Sequence, residues 1–105
     1  MHNLEEIKRR FLKDDFCVQL GGIASNLARL ESFSHMPNNK KILNDLIEES
    51  KFFIEWVTPK ASVDVQEELL KIQLQLALYP VKKEVIKFAG VWAQRLIKLS
   101  GLLKK

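Results

Sequence analysis

Few residues in this chain have the types and spacing that catalysis or metal binding requires. Glu31 and His35 lie four residues apart, so on a helix they share one face and form a pair of potential metal ligands. A di-metal helical bundle needs carboxylates from several helices and paired Glu-x-x-His motifs, which this sequence lacks. We therefore interpret Glu31 and His35 as a solvated surface pair, and the sequence predicts no bound metal or other cofactor.

Cys17 is the single cysteine, so no internal disulfide can form and no disulfide-linked partner is predicted. Because no histidine lies near it in sequence, a buried, inert thiol is favoured over a nucleophile. The Gly21-Gly22 pair lacks the Lys-Ser/Thr and the preceding strand of a phosphate-binding loop. Within a helix it belongs to a small-residue surface that a neighbouring helix can approach closely, formed by Gly21, Ala24, Ser25 and Ala28. The sequence therefore predicts no catalytic residue and a protein that is not an enzyme.

The composition limits the fold to one globular domain of few, long elements. A chain of 105 residues with 47% hydrophobic and 29% charged side chains is typical of a globular protein, and we assign residues 1–105 to a single helical-bundle domain. Only 4 Gly and 3 Pro are present, which indicates few turns. No apolar run approaches the roughly 18 residues of a membrane span, and the charged N-terminus does not resemble a secretory signal. These features, with the single cysteine, predict a cytoplasmic protein that does not enter a membrane.

Hydrophobic spacing places five helices along the chain. The most regular stripe has steps of 4, 3, 4 and 3, and consists of Phe16, Leu20, Ile23, Leu27 and Leu30. It predicts a helix that Asp14 or Asp15 caps and that ends near His35 and Met36, before Pro37. A shorter upstream stripe, Leu4, Ile7 and Phe11, would point the opposite way in a continuous helix. We therefore expect a break at Lys13–Asp15, whereas one continuous helix between two neighbours is the alternative.

Three further helices follow. The third begins at Asn38 or Asn39 and ends near Val57. The fourth begins at Ser62 or Asp64, where Asp64 and Glu67 have capping-box spacing, and ends near Leu78. The fifth begins at Pro80, which forms either a corner between two helices or a kink in one. Its core stripe is predicted to be Val81, Val85, Phe88, Ala89, Trp92, Leu96, Leu99 and Leu103. The expected fold is all-α, an up-and-down four-helix bundle with a short additional N-terminal helix.

Two groups of apolar side chains are candidates for a partner surface. The fourth helix is apolar on a second face, which either the N-terminal helix covers, as we favour, or a second chain covers by self-association. In the third helix, Phe52 and Trp56 fall away from the core stripe, where they either form a contact surface or lie beneath the N-terminal segment or the 58–62 loop. The candidate partner surface is Phe52, Trp56, Leu70, Leu74 and Leu78.

The last quarter of the chain is basic. Residues 80–105 contain seven Lys and Arg and one Glu, a net charge of +6. On a continuous helix, one narrow sector carries a candidate anion-binding stripe of Lys83, Lys87, Lys98 and Lys105. No recognition-helix, zinc-finger or aromatic RNA-binding motif accompanies these lysines, so a solvated face is favoured over nucleic-acid binding.

Three runs resemble small all-helical proteins of photosynthetic bacteria: GGIASNLARL (21–30), ESKFFIEW (49–56) and WAQRLIKLSGLL (92–103). The resemblance implies a bacterial cytosolic helical protein of an uncharacterised family, and it implies no activity and no ligand. From the residues themselves, the leading hypothesis is a non-catalytic protein–protein interaction module that self-associates as a homo-oligomer. Binding of nucleic acid or another anionic surface through the basic C-terminal helix is the alternative.

Overall fold

The computed structural model describes residues 3–79 and 81–100. Within them the chain forms five α-helices and no β-strand: α1 (Leu4–Lys13), α2 (Phe16–Phe33), α3 (Lys40–Val57), α4 (Val63–Leu78) and α5 (Ala89–Ser100). Both α2 and α4 pack against α3 and α5, so these four helices form a bundle, and α1 packs against α3. The predicted all-α bundle with a short N-terminal helix is confirmed. No helix in the described ranges combines the length and the apolar character needed to cross a membrane.

The break between α1 and α2 lies at Asp14 and Asp15, as predicted. Both residues have extended backbone conformations, with ψ of 153° and 156°, which ends one helix before the next begins. The break allows the two opposed apolar stripes to reach the same core. Asp15 occupies the N-cap position of α2, but its side chain makes no capping hydrogen bond, so the predicted capping contact is absent.

The starts of α3 and α4 depend on polar residues at the loop ends. Asn39 is the N-cap of α3, and Asn38 before it has a φ of 53°, a left-handed conformation that asparagine tolerates. Ser62 is the N-cap of α4, and its Oγ accepts a hydrogen bond from the Val65 N–H at 3.5 Å. The predicted capping box of Asp64 and Glu67 is therefore wrong, because Asp64 lies inside the first turn of α4.

The fifth helix starts later than the spacing of its apolar residues predicts. Lys83–Phe88 form a 3₁₀ helix, and α5 begins at Ala89; Pro80, and with it the choice between corner and kink, falls outside the described residues. Ile86 in the 3₁₀ helix and Ala89, the first residue of α5, are both buried. Val81 and Phe88, which were assigned to the core stripe, are instead 86% and 61% exposed.

The rest of that predicted stripe is divided. Leu96 is buried, Trp92 is half-buried against the core, and Leu99 is exposed, while Leu103 lies beyond the described part of the chain. Ala93, which the stripe did not include, is buried one turn from Ala89. Small side chains at these two positions allow α5 to lie close to α2.

The core is centred on α2. Its buried face consists of four fully enclosed side chains, Leu20, Ile23, Leu27 and Leu30. Two polar side chains on α2 are also buried and tie it to neighbouring elements. Gln19 Nε2 donates to the Phe11 carbonyl at 3.0 Å, and Asn26 Nδ2 donates to Glu49 Oε1 at 3.0 Å. These hydrogen bonds fix α1 and α3 against α2, since a buried amide left without a partner is costly.

A carboxylate from α2 caps the start of α5. Glu31 Oε1 accepts the Gly90 N–H at 2.7 Å, although the two residues are 59 positions apart. A Cβ atom on residue 90 would lie 2.5 Å from that oxygen, so glycine is required for this approach. The interpretation of Glu31 and His35 as a solvated pair is therefore wrong for Glu31, which is half-buried and bonded to α5.

Substitutions at Glu31 and Gly90 should show strongly non-additive effects on stability. Glu31→Ala should lower the free energy of unfolding by about 1 kcal/mol, the usual effect of removing a helix cap. Gly90→Ala alone should be close to neutral, because its gain in helix propensity is offset by displacement of Glu31. In the Glu31→Ala background, Gly90→Ala should stabilise by about 0.5–1 kcal/mol. Urea denaturation of the native protein, the two single variants and the double variant measures this double-mutant cycle. Strictly additive changes in the free energy of unfolding would contradict the prediction.

Candidate functional site

The outer face of α4 carries exposed leucines directly opposite its buried face. The inward residues Val65, Leu69, Ile72 and Leu76 are at most 4% exposed. On the other side of the same helix, Leu70 is 61% exposed, Leu74 58% and Leu78 39%. We call this second face, with Val63 at its N-terminal end, the outer stripe of α4. The expectation that the N-terminal helix covers this face is wrong, because α1 packs on α3 and the outer stripe stays accessible.

The outer stripe has the spacing of a helix-packing seam. Its members follow steps of 4, 3, 4 and 3 along the helix: Val63, Glu67, Leu70, Leu74 and Ala77. All five are exposed, and Leu78 adds to one edge. Alternating steps of 4 and 3 keep side chains along one line facing a partner helix. The α4 helix has 16 residues, so the seam is about 24 Å long at 1.5 Å per residue.

Polar side chains border the outer stripe on the surface of α4. Gln66 and Gln73 lie on the side that faces α3, where their amide nitrogens donate to the carbonyls of Thr58 and Lys51 at 3.0 and 3.4 Å. Asp64 and Lys71 lie on the other side and are exposed. An apolar centre with a polar border is the usual composition of a protein–protein interface.

Phe52 and Trp56 occupy a different surface from the outer stripe. Both are half-buried, and their rings stack with centroids 5.7 Å apart. The Trp56 ring also lies 5.8 Å from the Phe11 ring, and the Lys8 ammonium sits 5.8 Å from its centroid. Both side chains line a groove between α1 and α3. Helix α1, and not the 58–62 loop, therefore covers them in part.

The five residues of the candidate partner surface therefore fall on two sides of α3. Leu70 lines a groove with Ile54 and Glu55, on the side where α3 meets α4. Phe52 and Trp56 line the groove on the side where α3 meets α1. Helical spacing puts Phe52 and Trp56 away from the core face of α3, and Leu70, Leu74 and Leu78 away from the core face of α4. Only the packing of α1 and α4 on opposite sides of α3 separates the two groups.

Cys17 lies at an open groove of about 920 Å³ next to α1. The thiol is half-buried, which corrects the expectation of a fully buried cysteine. Gly21 and Gly22 line the same groove inside α2, and the Phe11 ring lies 3.9 Å from where a Cβ of Gly22 would be. Of the predicted small-residue surface, Ala24 is buried while Ser25 and Ala28 are exposed. The Phe11 ring of α1 therefore lies beside Gly22, next to this surface.

The predicted lysine stripe does not lie on one helix. Lys83 and Lys87 belong to the 3₁₀ helix, Lys98 belongs to α5, and Lys105 lies outside the described residues. The change of helix type means that a constant rotation of 100° per residue does not apply across this stretch. Lys83 and Lys87 line a cavity together with Lys40 of α3, which helical spacing does not group with them.

Across residues 3–79 and 81–100 no three His, Cys, Asp or Glu side chains are grouped so that they could hold a metal ion. No family model, no curated protein and no solved structure matches the chain. The resemblance to proteins of photosynthetic bacteria stays a prediction.

Proposed function

We propose that this protein is a non-catalytic protein–protein interaction module that self-associates through the outer stripe of α4. The observation that carries the proposal is the exposure of Leu70 and Leu74, at 61% and 58%, in the middle of a two-faced helix. Burying apolar surface yields about 25 cal/mol per Å², so a contiguous line of leucines is a favourable contact for a matching surface. A second copy of the same chain supplies such a surface by symmetry.

The charge on Glu67 favours an antiparallel arrangement of the two α4 helices. In an antiparallel pair, the two-fold axis crosses the outer stripe at the height of Ile72 along the helix. Leu70 then faces Leu74 of the second copy, and Glu67 faces Ala77 of the second copy. In a parallel pair, Glu67 would face its own counterpart, and two like charges at a seam repel each other. The antiparallel pair therefore avoids the least favourable contact that the outer stripe offers.

The positions of the reactive side chains support the part of this proposal that the protein is not a catalyst. A nucleophilic cysteine needs a general base beside it, usually histidine. His35 is exposed beyond the end of α2 and is not among the residues that line the groove at Cys17. We also infer a bacterial, cytoplasmic setting, which the single cysteine and the resemblance stated above support.

Sedimentation velocity at protein concentrations from 1 to 200 μM tests the proposal. We expect a concentration-dependent shift from monomer to dimer in the native sequence. The Leu70→Glu, Leu74→Glu double variant should stay monomeric, because it places two carboxylates in the centre of the seam. Glu67→Leu should strengthen the dimer by about tenfold, since it removes the one charge from the seam.

The matched control is Leu12→Glu, which adds a carboxylate at an exposed leucine of α1 and should leave the dimer intact. Circular dichroism establishes that each variant keeps its helices, as expected for substitutions at exposed positions. A native protein that is monomeric throughout this range would refute self-association. Equal effects of the α4 and Leu12 variants would refute the assignment to α4.

A further inference from the structure

A cavity of about 530 Å³ opens between the first turn of α3 and the 3₁₀ helix before α5. Its polar lining includes three lysines, Lys40, Lys83 and Lys87, together with Asn44, Tyr79 and the carboxylate of Glu84. The volume falls within the range of about 300–1,000 Å³ that is common for small-molecule sites. Two segments more than 40 residues apart in sequence thus contribute three lysines to the lining of one cavity.

Three lysines and one glutamate line this cavity, so its described residues carry an excess of positive charge. Among the described residues, the one ion pair within 4 Å joins Lys41 and Asp45, on exposed side chains of α3. Within the described part of the chain, Lys40, Lys83 and Lys87 therefore have no carboxylate in that range, and Glu84 is the one acidic residue in the lining. Three like charges around one cavity repel each other, and a bound anion relieves that repulsion.

The start of α3 adds hydrogen-bond donors on the same side. Asn39 holds the N-cap position but does not cap the helix, because its Nδ2 donates to the carbonyls of Phe33 and Ser34 at 3.0 and 3.5 Å. The first turn of α3 contains no acidic residue. In the described part of the chain, no side chain accepts a hydrogen bond from the backbone N–H groups of this turn. Their partial positive charge stabilises an anion bound nearby.

From the cavity and its unpaired lysines we infer a binding site for a small molecule that bears a phosphate or diphosphate group. Lysine binds phosphate as a point charge from a flexible stem, and three of them suit an anion with several oxygens. Tyr79 and Asn44 supply neutral hydrogen-bonding groups beside the charges, and Leu43 and Ile86 form an apolar wall. The site is independent of the outer stripe of α4.

The shape of the cavity favours a small anion over a nucleic-acid strand as its ligand. A nucleic-acid surface would use basic residues spread along an exposed face, including Arg95 and Lys98 of α5. Neither residue lines the cavity, whose lysines converge on a concave volume. An anion bound in this cavity of about 530 Å³ would lie beside all three lysines.

Titration of the ¹⁵N-labelled protein with inorganic pyrophosphate at low ionic strength tests the site. Saturable changes are expected at the backbone amides of Lys40, Asn44, Lys83 and Lys87. The Lys83→Gln, Lys87→Gln double variant should bind pyrophosphate about tenfold more weakly, since each lysine lost removes a charge-assisted hydrogen bond. Titration of the native protein with a single-stranded oligonucleotide forms the second arm.

The matched control is the Lys13→Gln, Lys60→Gln double variant, which removes the same number of charges from exposed positions outside the cavity and should leave pyrophosphate binding unchanged. The spectra themselves report whether each variant is folded. Equal weakening in both double variants would overturn the site, as would no saturable response to pyrophosphate. Stronger binding of the oligonucleotide, with changes centred on Arg95 and Lys98, would also overturn it and favour a nucleic-acid surface.

Discussion

Phe11→Ala is expected to release α1 from the bundle while the other four helices stay folded. Phe11 is the one buried residue of α1, and its ring stacks on Phe53 with centroids 4.2 Å apart. Removing a buried aromatic ring costs about 3–5 kcal/mol. An isolated helix of ten residues is unstable in water, so α1 should unfold once this contact is lost.

Hydrogen exchange of the backbone amides in residues 4–13 measures this release. Exchange there should accelerate by about a hundredfold in the Phe11→Ala variant, in line with the lost packing energy. Trypsin should also cleave after Arg9 and Arg10 more rapidly. Leu12→Ala is the control, because Leu12 is 42% exposed and its loss should change neither readout. Unchanged exchange in the Phe11 variant would mean that other contacts hold α1.

Leu27→Ala should be among the most destabilising single substitutions in the core. Leu27 is fully buried in α2, the helix that packs against both α3 and α5. A Leu-to-Ala change at such a site removes apolar contacts and leaves a cavity, which together cost about 3 kcal/mol. In a chain of this size that loss lowers Tm by about 15 °C.

Thermal and urea denaturation measure this effect. Leu12→Ala again provides the comparison, since it makes the same chemical change at an exposed site and should shift stability by less than about 0.5 kcal/mol. If Leu27→Ala were as mild as Leu12→Ala, α2 would not be the centre of the core. The contrast between the two leucines therefore tests the packing arrangement directly.

The ends of most helices could be predicted from local sequence because they depend on local interactions. Pro37 disfavours helix in the residue before it, and Ser62 offers a hydroxyl acceptor to the first turn of α4. The break at Asp14 and Asp15 followed from two stripes that point in opposite directions. The start of α5 was predicted wrongly because apolar spacing was extended through Lys83–Phe88 at 3.6 residues per turn. Spacing alone does not distinguish an α-helix from the 3₁₀ helix found there.

The second apolar face of α4 was also visible in the sequence, but its exposure was not. Whether α1 covers Leu70 and Leu74 depends on which neighbour α1 packs against, and its docking on α3 is decided by Phe11 meeting Phe53 and Trp56. That choice involves residues more than 40 positions apart. The periodic pattern of each helix is identical in either arrangement.

The sequence by itself determined five helices, the inward face of α2 and the two-sided character of α4, because helix periodicity and capping act between residues within about four positions of each other. Only the tertiary structure decided which faces meet. It left the outer stripe of α4 exposed, placed Glu31 on the amide of Gly90, and brought Lys40 to the same cavity as Lys83 and Lys87. These relations join distant segments, whose approach is set by packing of the whole core and not by any local pattern.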